Sequence, residues 1–347
     1  VANNTLEGNR RHIPRQTGRT TTLVDAIEGT LADFLAARIA ALDATDPELG
    51  GFARTARDLV LAGGKRLRPT FAYWGWRGVS DEPVEPVLPA LAALELMHTF
   101  ALVHDDVMDE SATRRGRPTA HRIFASRHGE RFGTSAAILV GDLCLVWADQ
   151  LLARTPIPTA TLFAVRARYD RMRVEAISGQ YLDVLGETSP GDWSEDRALL
   201  VARLKTASYT VQRPLQLGLA LAGSDSPEID LAYENFGALV GEAFQLRDDL
   251  LGVFGDPAVT GKPAGDDLRT GKPTTLLLLA RRHAPLTLDD PERLAQEIAA
   301  TGAPAQVEAM IRERVASAIA ALAAAPIAAE ARHALIELAV RATHRPA

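Results

Sequence analysis

Two short acidic runs hold the residues whose spacing points to chemistry. The first is His104-Asp105-Asp106-Val107-Met108-Asp109, at the end of an apolar stretch. On a helix, Asp105 and Asp109 lie on one face, one turn apart. Like charges at that spacing repel, and a divalent cation removes the penalty. Mg²⁺ favours one or two carboxylates together with phosphate oxygens. A solvated helix end is the plainer reading, although acids at a helix C-terminus oppose the macrodipole. The second run is Phe244-Gln245-Leu246-Arg247-Asp248-Asp249-Leu250-Leu251, again an apolar helix leading into paired aspartates. Two facing acidic walls of this kind would hold a pyrophosphate through divalent cations. The cations would neutralise its charge as a C–O bond breaks.

Acidic walls do not hold a second anionic substrate. Gly63-Gly64-Lys65-Arg66-Leu67-Arg68-Pro69 places three cations in four residues at a glycine hinge before a helix start. Glycine permits close backbone approach, and arginine offers a planar fork to phosphate oxygens. Arg114-Arg115 follows Asp109, and Lys205, Lys262 and Lys272 sit in K-T, G-K and G-K contexts. Each alone reads as a surface charge. Their distribution around two acidic clusters raises them to candidates. The segments Gly255–Lys262 and Gly265–Lys272 imitate a phosphate-binding loop, but five residues separate the glycines and proline follows each lysine. The nucleotide-binding loop needs four and a hydroxyl residue. HExxH, GxSxG and GxGxxG patterns do not occur.

The elements that must carry these residues are helical. The 347 residues are 47% hydrophobic and only 5% aromatic, and Ala and Leu dominate over β-branched stretches. That balance favours helices over strands. Leu23, Ile27, Leu31, Phe34, Leu35 and Leu42 form an amphipathic stripe, with Thr22 as its expected cap. A second helix is expected over Phe52–Ala62, ending at Gly63-Gly64, and Pro69 suits the first turn of a third. Pro89–Asp109 is apolar on most faces down to Val103, the mark of a bundle's central helix. Further helices are predicted over Ser135–Leu152, Ala160–Leu185, Glu195–Ala222, Ile229–Leu251, Lys272–Arg282, Pro291–Ala300, Pro304–Ala324 and Ala328–Thr343. No alternating strand pattern appears. Length alone gives a prior of about two domains. The helical pattern instead predicts a polar tail over residues 1–20 and one all-α domain of ten or more helices over residues 21–347.

Composition excludes several functions. Cys144 is the only cysteine, so a disulfide framework and a cysteine zinc site are ruled out, and a reducing, cytoplasmic setting fits. The longest unbroken apolar run, Ala318–Ala329, falls short of the roughly 18 residues of a membrane span. The arginines near the start precede no apolar segment, which argues against an export signal. The balance of 38 basic and 44 acidic residues gives a net charge of −6, a poor match for nucleic acid.

Taken together and in order, GGKRLRP at 63–69, DDVMD and RR at 105–115, KT at 205–206, and FQLRDD at 244–249 with GK at 261–262 resemble the trans-isoprenyl diphosphate synthases of the polyprenyl synthetase family. The resemblance covers nearly all of residues 25–345. It implies the isoprenoid-synthase helical bundle around an apolar cavity, a homodimer, and Mg²⁺, three ions when substrate is bound. It implies Asp105, Asp106, Asp109, Asp248 and Asp249 at the metal. Lys65, Arg68, His98 and Arg115 would hold isopentenyl diphosphate. Arg114, Lys205, Thr206, Gln245, Lys262 and Lys272 would surround the allylic diphosphate (dimethylallyl, geranyl or farnesyl). Of these, Asp105, Asp109, Arg114, Lys205, Asp248 and Lys262 would be catalytic. The fifth position of the family's second motif is usually aspartate and is Gly252 here; the next acid, Asp256, is given a supporting role only.

The implied reaction is ionisation, condensation and elimination, with pyrophosphate as the acceptor of the lost proton. Water must be kept from the allylic cation. Phe100 lies five residues before Asp105, about 7.5 Å down the helix. With the small Ala101 beside it and Met97 and Leu96 a turn below, it is the expected floor for the growing chain. That pattern resembles short-chain synthases making the C20 product geranylgeranyl diphosphate; C15 and C25 or longer products are the alternatives. Two other classes compete. A class I terpene cyclase would share the acidic walls but would need no site for isopentenyl diphosphate. A non-catalytic subunit of a heteromeric synthase would be expected to have lost aspartates.

Overall fold

Ala- and Leu-rich segments with few β-branched residues become helices almost throughout. The structure is a computed structural model that describes residues 17–188, 193–255, 271–287 and 290–344. The helices are α1 (Thr17–Asp43), α2 (Pro47–Val60), α3 (Leu67–Arg77), α4 (Leu88–Met108), α5 (Ala120–His128), α6 (Glu130–Leu152) and α7 (Thr159–Thr188). Next, α8 (Glu195–Val201) runs through a π-helical segment (Ala202–Gln212) into α9 (Arg213–Leu221). They are followed by α10 (Pro227–Phe254), α11 (Thr275–His283), α12 (Pro291–Ala300), α13 (Ala303–Ala323) and α14 (Ala329–Thr343).

The most apolar helix is the central one, as its sequence predicts. α4 is flanked by α1, α2, α3, α5 and α6. Leu91, Leu94, Leu96 and Met97 are fully buried there. By length and composition both α4 with its preceding turn and α6 could cross a membrane, although neither contains the long unbroken apolar run sought in the sequence. The most apolar stretch of the first is 67% buried and that of the second 50%. The first is thus a core helix. The second keeps an outward apolar face.

Several boundaries differ from the sequence reading. α1 begins at Thr17, five residues before the expected cap Thr22. The first 16 residues of the expected tail lie outside the described residues. α2 starts at Pro47 because Asp46 caps it, accepting from the Glu48 amide at 2.8 Å. α5 was not foreseen. Nor was the hairpin of β1 (Thr113–Arg114) and β2 (Arg117–Pro118), paired antiparallel with Thr113 opposite Pro118. Its two-residue turn has φ 53° at Arg115 and 72° at Gly116. Positive φ at both central residues is the turn that suits a tight hairpin.

The predicted helix over Glu195–Ala222 forms, but its middle is π-helical. π turns are rare and collect at functional sites. Two glycines let neighbouring helices press on this segment. A Cβ on Gly179 of α7 would lie 2.3 Å from the Lys205 amide nitrogen, and one on Gly241 of α10 would lie 2.2 Å from the Ala207 Cα. Backbone therefore meets backbone on both sides. The change Gly241→Ala is expected to destabilise the protein by about 1–3 kcal/mol, the usual cost of overpacking. Calorimetric Tm would show it; an unchanged Tm would mean the helices separate freely.

Candidate active site

One end of α4, the hairpin, the start of α3, the π segment, α7 and α10 enclose a cavity of about 790 Å³. Asp105 and Asp109 stand on one wall, Asp248 and Asp249 on another, as the sequence predicts. Lys65, Arg68, His98, Arg114, Arg115, Lys205, Thr206, Gln245 and Lys272 line it too. Lys262 and Asp256 lie outside the described residues.

The first acidic run is already charge-compensated. Asp105 accepts from Lys205 Nζ at 3.0 Å and from Gln180 Nε2 at 3.2 Å on one oxygen. Its other oxygen accepts from Arg114 Nη2 at 2.9 Å. Burial would raise its pKa, but Lys205, Arg114 and Lys272 outweigh that and hold Asp105 well below the usual carboxylate range. Arg114 also donates Nε to Asp106 at 2.6 Å. Asp106 is buried and turned from the cavity lining, so the structure gives it to Arg114. Asp109 ends α4, and burial and then Asp105 push its pKa up. Opposite, Gln245 links the walls to the π segment. It accepts from Thr206 Oγ1 at 2.6 Å and donates to Asp249 Oδ1 at 2.8 Å.

Sequence reading missed the α7 residues of the site. Asp183 accepts from Lys205 Nζ at 2.5 Å and from Lys272 Nζ at 2.7 Å, and Glu187 pairs with Lys272 at 3.3 Å. The signal was there: Gln180, Asp183 and Glu187 recur at three- and four-residue steps, one polar stripe on an otherwise unremarkable helix. The lysines are thus held at their stations by acids before any ligand enters. Lys272 precedes α11 rather than opening it, because Thr274 is the cap.

The basic run before α3 divides. Arg66, at φ 47°, turns inward and pairs with Glu95 at 2.7 Å and Glu28 at 3.0 Å. It supports the wall and does not line up with Lys65 as a third ligand. Arg68 Nη2 donates to Thr210 Oγ1 at 2.9 Å, with its guanidinium 4.1 Å from the Tyr209 ring centroid. Arg115 Nη1 donates to the Gly63 carbonyl. A Cβ on Gly64 would come 2.8 Å from that same Nη1, and Gly64 has φ 146°. The glycine pair therefore admits the arginine. Three buried polar atoms of residues lining this part of the cavity have no hydrogen-bond partner: Arg68 Nε, Glu95 Oε1 and His98 Nδ1. Buried polar groups are rarely left so.

The expected floor residues Phe100, Ala101 and Met97 are not part of the cavity lining, which on this helix includes Leu102. The Phe100 ring packs edge-on against His104, with centroids 4.8 Å apart. Among the described residues, no group of three or more His, Cys, Asp or Glu side chains is arranged to hold a metal by itself.

A family model for polyprenyl synthetases matches residues 51–313. The fold resembles the crystal structure of a geranylgeranyl pyrophosphate synthase from Corynebacterium glutamicum, solved with isoprenyl diphosphate and magnesium. The TM-score is 0.88 at 39% identity, over 93% of this chain and 99% of that one. A geranylgeranyl diphosphate synthase of Mycobacterium tuberculosis is 35% identical over 274 residues, 75% of each chain. A geranylfarnesyl diphosphate synthase of Aeropyrum pernix is 36% identical over 232 residues, 65% of this chain and 69% of that one.

Burial, then Arg68 and Arg115, lower the His98 pKa well below its usual value, so the folded protein keeps it neutral. The unfolded chain binds that proton near pH 6.5. Stability present above about pH 6.5 is therefore lost as pH falls toward the depressed folded value. His98→Gln is expected to flatten the fall in Tm between about pH 7 and pH 5. Parallel Tm–pH curves for the two proteins would contradict it.

Proposed function

The chain belongs to the polyprenyl synthetase family and is a trans-prenyl diphosphate synthase, and from that premise we propose that its product is geranylgeranyl diphosphate. Isopentenyl diphosphate is assigned to the Lys65, Arg68, His98 and Arg115 side of the cavity. The unpaired Arg68 Nε and His98 Nδ1 are the observation that carries this half of the reading. An anionic ligand with its waters would satisfy them. The allylic diphosphate is assigned to the Arg114, Lys205 and Lys272 side.

Mg²⁺ fits the residues present. Their donors are carboxylate oxygens, and Mg²⁺ binds through one or two carboxylates plus substrate phosphates rather than a closed protein cage. Asp105 and Asp109 on one wall and Asp248 and Asp249 on the other would hold it. Bound there, it would supply positive charge against the leaving diphosphate. The chain's own cations contribute to the same stabilisation, as Lys205 and Arg114 exchange their pairing with Asp105 for the departing phosphate oxygens. The allylic C–O bond breaks, isopentenyl carbon attacks, and the proton lost from the new chain passes to the released pyrophosphate. Apolar α4 side chains below Asp105 keep water from the cation.

Phe100 and Ala101 support the C20 product, as do the relatives named for it. Apolar residues exposed on α6 (Phe132, Leu139, Val146) and α7 (Val174, Ile177, Tyr181) recur at heptad-like steps and support a homodimer. A cytoplasmic setting is kept because the two long apolar helices read as a core helix and a subunit face.

The deciding assay gives the purified chain Mg²⁺, farnesyl diphosphate and isopentenyl diphosphate. A C20 diphosphate that needs both substrates and vanishes with chelator is expected; a hydrocarbon from the allylic substrate alone would sink the reading. Phe100→Ala is expected to lengthen the product, read by chromatography of labelled chains. An unchanged length would remove Phe100 from the floor. Leu139→Glu with Ile177→Glu is expected to give a monomer by light scattering, and a persistent dimer would place the interface elsewhere.

A further inference from the structure

Trp193 stands at the cavity wall without a part in the reaction as assigned above. It precedes α8, is only 9% exposed, and lines the same cavity as Lys205 and Lys272. Its ring meets α7 at a glycine. A Cβ on Gly186 would lie 2.9 Å from Trp193 Cζ2 and 3.1 Å from Pro273 Cγ. Indole, Pro273 and the α7 backbone therefore converge on one point. Pro273 directly follows Lys272. Asp183 and Glu187, which pair with Lys272, lie on α7 three residues before and one after Gly186. The Arg197 guanidinium is stacked over the indole, 4.6 Å from its centroid. Ala198, Val201 and Leu278 form a small apolar cluster with it.

A lysine reaching a diphosphate through four flexible carbons loses side-chain entropy on binding. Fixing its backbone and first contacts beforehand reduces that loss. We propose that Trp193 is a positioning residue for the allylic diphosphate, its ring bracing Lys272-Pro273 against α7 at Gly186. The inference rests on the assignment of Lys272 to that diphosphate. It sets no constraint on isopentenyl diphosphate, whose assigned ligands sit just before and on α3, on α4 and in the hairpin turn.

The test measures KM for geranyl diphosphate and for isopentenyl diphosphate with Mg²⁺ present. Trp193→Ala is expected to raise the first by about fivefold or more and to move the second by less than about twofold, the scale of coupling between residues in contact. Trp193→Phe, which keeps a flat apolar ring, is expected to restore most of the loss. In a Lys272→Ala background the effect of Trp193→Ala should disappear. If Trp193→Ala does not fold, Gly186→Ala carries the test, because its methyl displaces the ring while leaving tryptophan in place. An unchanged allylic KM in these variants, with a raised one in Lys272→Ala, would overturn the role of Trp193 and leave that of Lys272 intact. An unchanged KM in Lys272→Ala would overturn the assignment of Lys272 and this inference with it. An equal rise in both KM values would show a general structural loss and also overturn it.

Discussion

The site depends on backbone meeting backbone at the π-helical segment. At Gly179 on one side and Gly241 on the other, no Cβ holds α7 and α10 away from the backbone at Lys205 and Ala207. Side chains of ordinary length then bridge three elements. Lys205 reaches Asp105 on α4 and Asp183 on α7, and Thr206 reaches Gln245 on α10. A larger residue at either glycine would shift those reaches by more than a hydrogen bond tolerates.

Within that frame the charges are arranged against one another before substrate arrives. Asp105 holds Lys205 and Arg114; Asp183 holds both Lys205 and Lys272. Buried pairs of this kind add little net stability, because desolvation offsets their attraction. Their use is registration: each cation has a fixed place and a partner it can exchange. Asp105, whose pKa its cationic neighbours lower, and Asp109, whose pKa burial and Asp105 raise, share one helix face and are pushed in opposite directions.

The apolar half of the molecule is built on the same helices. α4 carries the first acidic run at its end and Phe100 below it. The His104 ring lies between Phe100 and α6, with Nε2 2.9 Å from the Ile138 carbonyl oxygen and Gly141 making room for it. α6 thus backs the proposed floor on one face and offers apolar residues on the other. Product length and subunit association would in that case share one helix, and a change in its tilt would be felt by both.

Much of the fold and many of the residues that line the site were legible in the sequence. Helical periodicity and composition are local properties, so the long helices, the central place of α4 and the two aspartate pairs could be read from spacing alone. Local rules also explain the misses at the ends: Asp46 and Pro47 start α2 earlier than its apolar stripe suggested, and the Arg115-Gly116 turn is too short to show a strand pattern. What only the tertiary structure decided is which charges meet. Arg66 and Arg68 are neighbours in a basic run, yet Arg66, itself left-handed at the cap of α3, pairs with Glu95 and Glu28, while Arg68, inside the helix, reaches Thr210 and the Tyr209 ring. Asp183 and Glu187 showed only a polar stripe on α7, with nothing local to say which cations they meet, and Trp193 carried no local mark of function. Their roles arise where α7 crosses the π segment and the chain before α11, and pairings between residues so far apart in sequence are fixed by packing, which spacing along one chain cannot encode.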